Sequence, residues 1–463
     1  MKAETKGFIM KLKKLIKVFV LILSICLALT FSACSIDDFI ASTDEAKSIE
    51  KTYINEDGEL IIEYSDKTSQ NLGLVVGKDG VDGKDGTDGK DGEDGKDGQD
   101  GKDGSIIISG GSETGSISTS YAVANAIQST VLVQSAFVNE SDPATPSYSS
   151  GAGVIYSCNK STGDALIITN YHVVFGPDAG KVSDDISVYI YGSVTTEQAI
   201  PATYVGGTMH YDLAVLKVSS SDIIKNSEVS AVNIKDSSKV HAGDTAFAIG
   251  NPRAEGFSVT SGIVSVDSET IEMTLADEQT NGTMRVMRID TPVNSGNSGG
   301  GLFDENGNLI GIVNAKYSDS KIENIGYAIP SSTVVAITQN LIDNCLDKNF
   351  DTIKRPLLGI MVQVQNPYAK YNSETGYVDL FEDSTVVEIT SESSIAYGKL
   401  FEGDIIRGIK VSGRDNVQIT RQYQLLDALL YAKVGDVVTL TIEREGVILT
   451  AYVIITEECI SNT

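Results

Sequence analysis

The chain has 463 residues, 41% of them apolar, and a formal net charge of −27 at neutral pH. That length and apolar fraction supply enough side chains for two or three packed cores. The acidic balance excludes nucleic acid as a partner, because holding phosphates requires a basic footprint, and it carries no catalytic meaning of its own.

The first segment reads as an export signal. Lys11, Lys13, Lys14 and Lys17 precede an apolar run from Val18 to Phe31 that ends in Ser32-Ala33-Cys34-Ser35. A charged region, an apolar core and a small-residue cleavage site follow one another. Residues 1–33 thus resemble a bacterial lipoprotein signal, cleaved before Cys34 with lipid on its sulfur. The run is short for a spanning helix of ~20 residues, which disfavours an uncleaved membrane anchor. Phe31 stands where such signals more often have leucine, and Met10 offers a second start. The expected location is the outer face of the bacterial cell membrane. Of five cysteines, Cys158, Cys345 and Cys459 remain beyond the signal and the lipid site. They form an odd set, so at least one is expected to be free. None has metal-ligand spacing, and neither metal nor cofactor is expected.

Residues 34–76 form a small membrane-proximal segment, in which YINEDGELIIEYSD reads as strand, turn and strand leading into SQNLGLVV. From Gly77 to Gly104 glycine occupies every third place. This is the collagen pattern, since only glycine fits at the axis of three wound chains. The tract contains no proline, and a disordered, charged stalk is the equal alternative to a triple helix. Extended, it reaches on the order of 80 Å at ~3 Å per residue. Residues 105–120, rich in glycine and serine, read as a flexible linker.

The next region carries the chemistry. ALIITNYHVV places His172 where an apolar strand ends, and the chain has only 3 histidines. His210 and His241 compete for the same role, but neither follows a strand in this way. HYDLAVLKV places Asp212 before an alternating apolar run that reads as a buried strand. DTPVNSGNSGG places Ser298 between glycines, where the backbone turns sharply, exposes a hydroxyl and aims the N–H groups of Gly296, Asn297 and Ser298 at one point. Asp212 would fix the tautomer of His172, and His172 would take the Ser298 proton. Short strands with turn signals predominate, and helical patterns are confined here to Ala122–Ser129 and Thr333–Leu346, which argues for an all-β double barrel.

With GAGVIY, AGDTAFAIGNP, VTSGIVS, GLFDENGNLIGIVNAK and IGYAIP in the same order, the region from Tyr121 resembles the HtrA/DegP family of trypsin-like serine proteases. The resemblance implies a trypsin-like domain over residues 121–350 and His172, Asp212 and Ser298 as its triad. The Gly296 and Ser298 amides are implied as oxyanion donors. It also implies an apolar specificity pocket near Asn314 and Ile325, and a homotrimer. Arg253 and the segment VDSETIEM depart from the family at positions tied to activation, which leaves its usual activation relay in doubt.

Residues 355–458 resemble a PDZ domain of the family's type, through LLGIMV, GKLFEGDIIRGI and VGDVVTLTIEREG. Leu425, Leu426, Leu429 and Leu430 recur at helical spacing between them. The resemblance implies that Leu358, Gly359 and Ile360 line the end of a groove that captures peptide C-termini. The insertion Asn366 to Asp383 is atypical and is expected to cover or extend that groove. The fold expected is mainly β, a trypsin-like double barrel followed by a small α+β PDZ domain, with a low-complexity N-terminal stalk. The function expected is an extracytoplasmic endopeptidase of unfolded or damaged proteins. The alternative is a protease inactive at rest that tethers and holds its partners.

Overall fold

The computed structural model describes residues 49–55, 59–65, 67–74, 119–139, 142–193, 196–251, 256–314 and 325–461. The segment expected to be an export signal with Cys34, the Gly-X-Y tract, most of residues 105–120 and Arg253 lie outside the described residues. The chain divides into two units, Met1–Gly110 and Gly111–Thr463. In the first, β1 (Ile49–Ile54), β2 (Glu59–Tyr64) and β3 (Ser69–Leu74) form an antiparallel sheet, with Tyr53 opposite Ile61 and Ile61 opposite Asn71. Both expected strands are present and SQNLGL adds a third, while residues 56–58, where the turn is expected, lie outside the described residues.

The second unit opens with α1 (Thr119–Gln128), then β4 (Thr130–Asn139), β5 (Asp142–Asn159), β6 (Asp164–Thr169) and the single turn α2 (Tyr171–Val174). A small ladder of β7 (Phe175–Gly176) and β8 (Lys181–Val182) precedes β9 (Asp185–Ile190), β10 (Ile200–Thr208) and β11 (Leu213–Val218). The six longer strands close a barrel in the order β10-β11-β6-β5-β4-β9. After α3 (Asp222–Asn226), whose first turn is capped by the Ser221 side chain, a second barrel follows. Its strands are β12 (Thr245–Gly250), β13 (Ser258–Thr274), β14 (Asn281–Ile289), β15 (Gly301–Phe303), β16 (Leu309–Asn314) and β17 (Gly326–Pro330). They close in the order β12-β13-β14-β17-β16-β15.

Strand alternation explains why several of these segments read as unbroken apolar runs. On β11, Ala214, Leu216 and Val218 fill the first barrel, whereas Leu213 and Val215 face a core shared between the barrels. On β12, Ala246 and Ala248 fill the second barrel while Phe247 and Ile249 join the same shared core. Helix α4 (Ser331–Cys345) seals that core with Val334, Ile337 and Leu341. Each such side chain contributes about 1.5–3 kcal/mol on burial. The barrels are therefore cemented by apolar packing, and a site on their seam has fixed walls.

The C-terminal module begins at β18 (Arg355–Pro356), runs through β19 (Ile360–Tyr371), β20 (Val378–Ile389), β21 (Ile405–Val411), β22 (Val417–Gln418), α5 (Gln422–Leu429), β23 (Val437–Arg444) and β24 (Val447–Ile454), and ends in β25 (Ile460–Ser461). The sheet order is β19-β20-β21-β23-β24, with β22 on β21, and β25 returns to pair with β18. Leu425 and Leu429 pack with Val386, Ile406, Ile409 and Leu440. Leu426 does not join them: one residue further round the helix, it is 56% exposed.

The insertion lengthens β19 and β20 into a ribbon whose far end meets the second barrel. There the Tyr377 hydroxyl donates to Asp244 Oδ1 at 3.0 Å and its ring stacks on His241 at 3.9 Å between centroids. Nearer the core, Arg285 of β14 reaches Asp427 of α5 at 2.7 Å and lies over the Tyr423 ring. Arg421 pairs with both Asp267 and Glu382 at 3.0 Å.

Candidate active site

The pairing of β11 with β6 sets Ala214 opposite Thr169. Two residues before Ala214, Asp212 is consequently level with the turn that begins just past Thr169. The chain is held there by main-chain bonds: Tyr171 N–H and the Asn170 side-chain amide both donate to the Asp212 carbonyl, at 3.1 and 2.8 Å. Asp212 has φ of 47°, in the left-handed region that aspartate and asparagine tolerate better than other side-chain-bearing residues. This bend turns its carboxylate toward α2. Oδ1 accepts the His172 backbone N–H at 2.9 Å, and Oδ2 stands 2.6 Å from His172 Nδ1.

Asp212 is only 2% exposed, so its charge must be matched by donors. A third donor crosses from the other barrel, where Asn314 Nδ2 reaches Oδ2 at 3.0 Å. The resemblance implies a specificity pocket near the segment of Asn314, and the amide of that residue also bonds the acid. The available signal was a polar residue ending a buried strand, as Thr169 ends β6.

The glycine-rich loop is gripped on both sides. The Ser298 carbonyl accepts from Ala152 N–H of β5 at 2.8 Å, and Asn251 N–H donates to the Gly296 carbonyl at 3.0 Å. The Asn297 N–H bonds the Asn294 carbonyl at 3.0 Å, so, contrary to the expectation that it joins Gly296 and Ser298 as an oxyanion donor, it closes the turn instead; Gly296 has φ of +95°. That combination fits a type II turn with glycine at its third position. Gly299, at φ +81°, has no room for a side chain: a Cβ there would lie 2.2 Å from the Ala152 carbonyl oxygen and 2.3 Å from Thr169 Oγ1. Gly299 is demanded by the close approach of the two barrels as well as by backbone conformation, and Gly296 by its backbone conformation.

His172 and Ser298 line one cleft of 450 Å³ between the barrels, with Phe137, Tyr148, Phe175 and Ala276 on its walls. The structure thus brings His172, Asp212 and the Ser298 loop together. His210 and His241 are not in that cleft, and His241 is engaged with Tyr377 and lies 3.5 Å from Asp379. A larger cavity of 820 Å³, between the second barrel and the C-terminal module, is lined by Asp236, Tyr423, Asp427 and Tyr431 and contains neither His172 nor Ser298. Cys158, Cys345 and Cys459 are all free thiols.

In the C-terminal module, Leu358 is 4% exposed and belongs to the core. Gly359 adopts φ +72° and Ile360 opens β19. Helix α5 lies beside this strand, with Gln422 Nε2 donating to the Val362 carbonyl at 2.8 Å.

Residues 148–312, which span all three candidate residues, match the family described as "Trypsin-like peptidase domain". The chain is 34% identical over 305 residues to a serine protease Do-like HtrA of Bacillus subtilis, spanning 64% of this chain and 61% of that protein. It is 33% identical over 314 residues to a serine protease Do-like HtrA of Lactococcus lactis subsp. cremoris, spanning 66% of this chain and 70% of that protein. Among solved structures, an HtrA-type protease AlgW with tripeptide aligns over 75% of this chain and 98% of its own, at 24% identity and a TM-score of 0.48.

Proposed function

Because this chain belongs to the HtrA family of serine proteases, we propose that it is a serine endopeptidase of unfolded or damaged polypeptides, acting through Ser298, His172 and Asp212. The observation that carries the reading is the doubly bonded Asp212–His172 pair facing the same cleft as Ser298. Ser298 Oγ attacks the peptide carbonyl while His172 takes its proton, and the imidazolium then protonates the leaving amine. The Gly296 and Ser298 amides stabilise the oxyanion. Water activated by the same imidazole hydrolyses the acyl-enzyme. Asp212 keeps the Nδ1 proton in place throughout and needs no proton of its own.

In the same proposal residues 355–458 are a PDZ domain that receives peptide C-termini. Support comes from the left-handed Gly359 beside a strand with an adjacent helix. Leu358 is buried, so this end would recognise a carboxylate through the backbone N–H groups around Gly359. The lipid on Cys34, the stalk and an outer-face location complete the proposal and rest on the sequence pattern, and the trimer rests on the family resemblance. The test compares the whole protein with Ser298→Ala for cleavage of an unfolded protein and for labelling by a fluorophosphonate. Loss of both in the variant supports the reading. Labelling with no cleavage favours the holding function over proteolysis, and a parent that neither labels nor cleaves sinks the protease.

A further inference from the structure

We infer that the outer edge of β19 holds a long extended C-terminal tail, its last residues in the proposed PDZ groove and its upstream residues along the ribbon; the inference rests on the PDZ reading above.

β19 is the end strand of its sheet, and among the described residues no strand pairs with its other side. The direction of its backbone groups follows from the neighbours. The Val362 carbonyl accepts from Gln422 of α5 at 2.8 Å, and the N–H of Val386, opposite it on β20, goes to the Asp404 carbonyl at 2.8 Å. Val362 and Val386 therefore turn their backbone groups away from each other. Alternation along an antiparallel pair sends the N–H and C=O of Val364 outward as well. On the ribbon, Asn372 N–H bonds the Tyr377 carbonyl at 2.8 Å and closes the hairpin, so Tyr371 and Ala369 also face outward. A peptide whose carboxylate sits at Gly359 thus runs, as an added strand, past Val362 and Val364 toward the ribbon.

Between these two stretches the register shifts, where Asn366 adopts φ 45° and its amide donates to Asp383 at 2.9 Å. This bend, with Pro367 in it, spoils the edge as a template for another flat sheet. A flexible tail can follow the bend, which favours a tail over a second copy of this chain. The ribbon is also held in advance: Tyr368 stacks on Phe381 at 5.0 Å, and Tyr377 is docked on His241 and Asp244. Little ordering of the protein is left for the tail to drive.

Ala369 and Leu380 share one face of the ribbon with Tyr371 and Val378, and the last three are exposed. They make an apolar floor for side chains of the added strand. At one tail residue per edge residue, the floor meets positions about eight to ten residues before the C-terminus. Gln422 meanwhile occupies the Val362 acceptor, which a short tail has to displace unaided. The preferred partner is an unstructured tail with apolar residues that far upstream.

The test uses the whole protein as Ser298→Ala, so that bound peptide is not cut. The probes are a fluorescent peptide of about twelve residues ending in valine, with leucines at the upstream positions, its short C-terminal fragment lacking them, and the C-terminal amides of both. Expected is binding of the long acid on the order of ten-fold tighter than the short one, the worth of one or two net hydrogen bonds. Ala369→Pro deletes an outward N–H where an edge strand tolerates proline, and Leu380→Ser removes part of the floor. Each should bring the long peptide toward the affinity of the short one and leave the short one unchanged. Equal binding of the two lengths before these substitutions overturns the inference, as does a length advantage untouched by both. A concentration-dependent mass that Ala369→Pro abolishes assigns the edge to a second copy and overturns it too. A short acid that binds no better than its amide sinks the PDZ reading and this inference with it, an outcome distinct from the others.

Discussion

The Asp212 carboxylate holds His172 at two points, with Oδ2 2.6 Å from the ring Nδ1 and Oδ1 on the backbone N–H at 2.9 Å. The second contact places the residue and the first sets the ring, so Asp212→Asn separates them. Asparagine tolerates the left-handed conformation at φ 47° as well as aspartate does, and the fold should survive. An amide offers one accepting oxygen where the carboxylate uses two, however, and the ring loses its tautomer. Expected is a drop in kcat on the order of 10⁴ with a thermal midpoint within a few degrees of the parent. A loss below ten-fold would remove Asp212 from the proposed mechanism.

Gly299 makes a sharper test of the loop than the serine itself. A methyl group there meets the Ala152 carbonyl oxygen at 2.2 Å, backbone that cannot move aside cheaply. Gly299→Ala should abolish fluorophosphonate labelling while leaving Ser298 and His172 in the chain. Gly446, at φ +79° with nothing within 4 Å of a built Cβ, is the control. Gly446→Ala should cost only about 1–2 kcal/mol, the penalty of the left-handed backbone, and leave labelling intact. Equal labelling in the two variants would count against the tight loop.

The double barrel and the trio His172, Asp212 and Ser298 were legible because each rests on local pattern. Alternation on β11 and β12 marks strands buried on both faces, and the three residues fall at a strand end, a strand start and a glycine turn. Asn314 was legible only as the polar end of a strand, because its partner is 102 positions earlier in the chain and no local rule points across two barrels. Leu426 was grouped with three buried leucines because helical spacing reports a face without reporting how wide that face is; its Cβ falls just past the edge of the core. The docking of Tyr377 on His241 was hidden for a similar reason, since the ribbon's length could be read and its direction could not.

The contact between barrel and C-terminal module centres on Arg285 and Asp427, whose side chains are 13% and 15% exposed. Ser332 Oγ donates to Asp427 Oδ2 at 2.7 Å and Thr333 Oγ1 to Oδ1 at 3.0 Å, so the carboxylate is fully supplied. Removing Arg285 leaves the carboxylate on its two hydroxyl donors alone, and removing Asp427 leaves the guanidinium without its counter-charge. Arg285→Ala and Asp427→Ala should each lower stability by about 1–3 kcal/mol, the range for removing a charged hydrogen-bond partner and less than for breaking a fully buried pair. The double variant should cost clearly less than the sum, with a coupling of about 0.5–3 kcal/mol from denaturant midpoints. Additive losses would reduce the pair to two independent contacts.

Cys345 reports on the seam beneath α4. Burial pushes its thiol up from 9.0 to about 11, with the Asp351 charge acting in the same direction. Its sulfur lies 3.2 Å from the Thr352 carbonyl oxygen and would stand 2.8 Å from a Cβ on Gly206, too close for any side chain there. Because the thiolate is the nucleophile, Cys345 should resist iodoacetamide at pH 8 in the native protein and react once the chain is unfolded. The same shift has a stability consequence. The unfolded thiol ionises near 9 and the folded one near 11, so its contribution is fully present below about pH 9 and is lost as pH rises toward 11. Tyr204, whose hydroxyl lies 3.2 Å from the Asp351 carbonyl and is likewise pushed up by burial, adds to the alkaline loss. Denaturant midpoints measured from pH 8 to 10.5 should therefore fall, and Cys345→Ala should flatten the slope above pH 9. Rapid alkylation of native Cys345 at pH 8 would mean that the seam opens, and that the two barrels part more readily than their shared core requires.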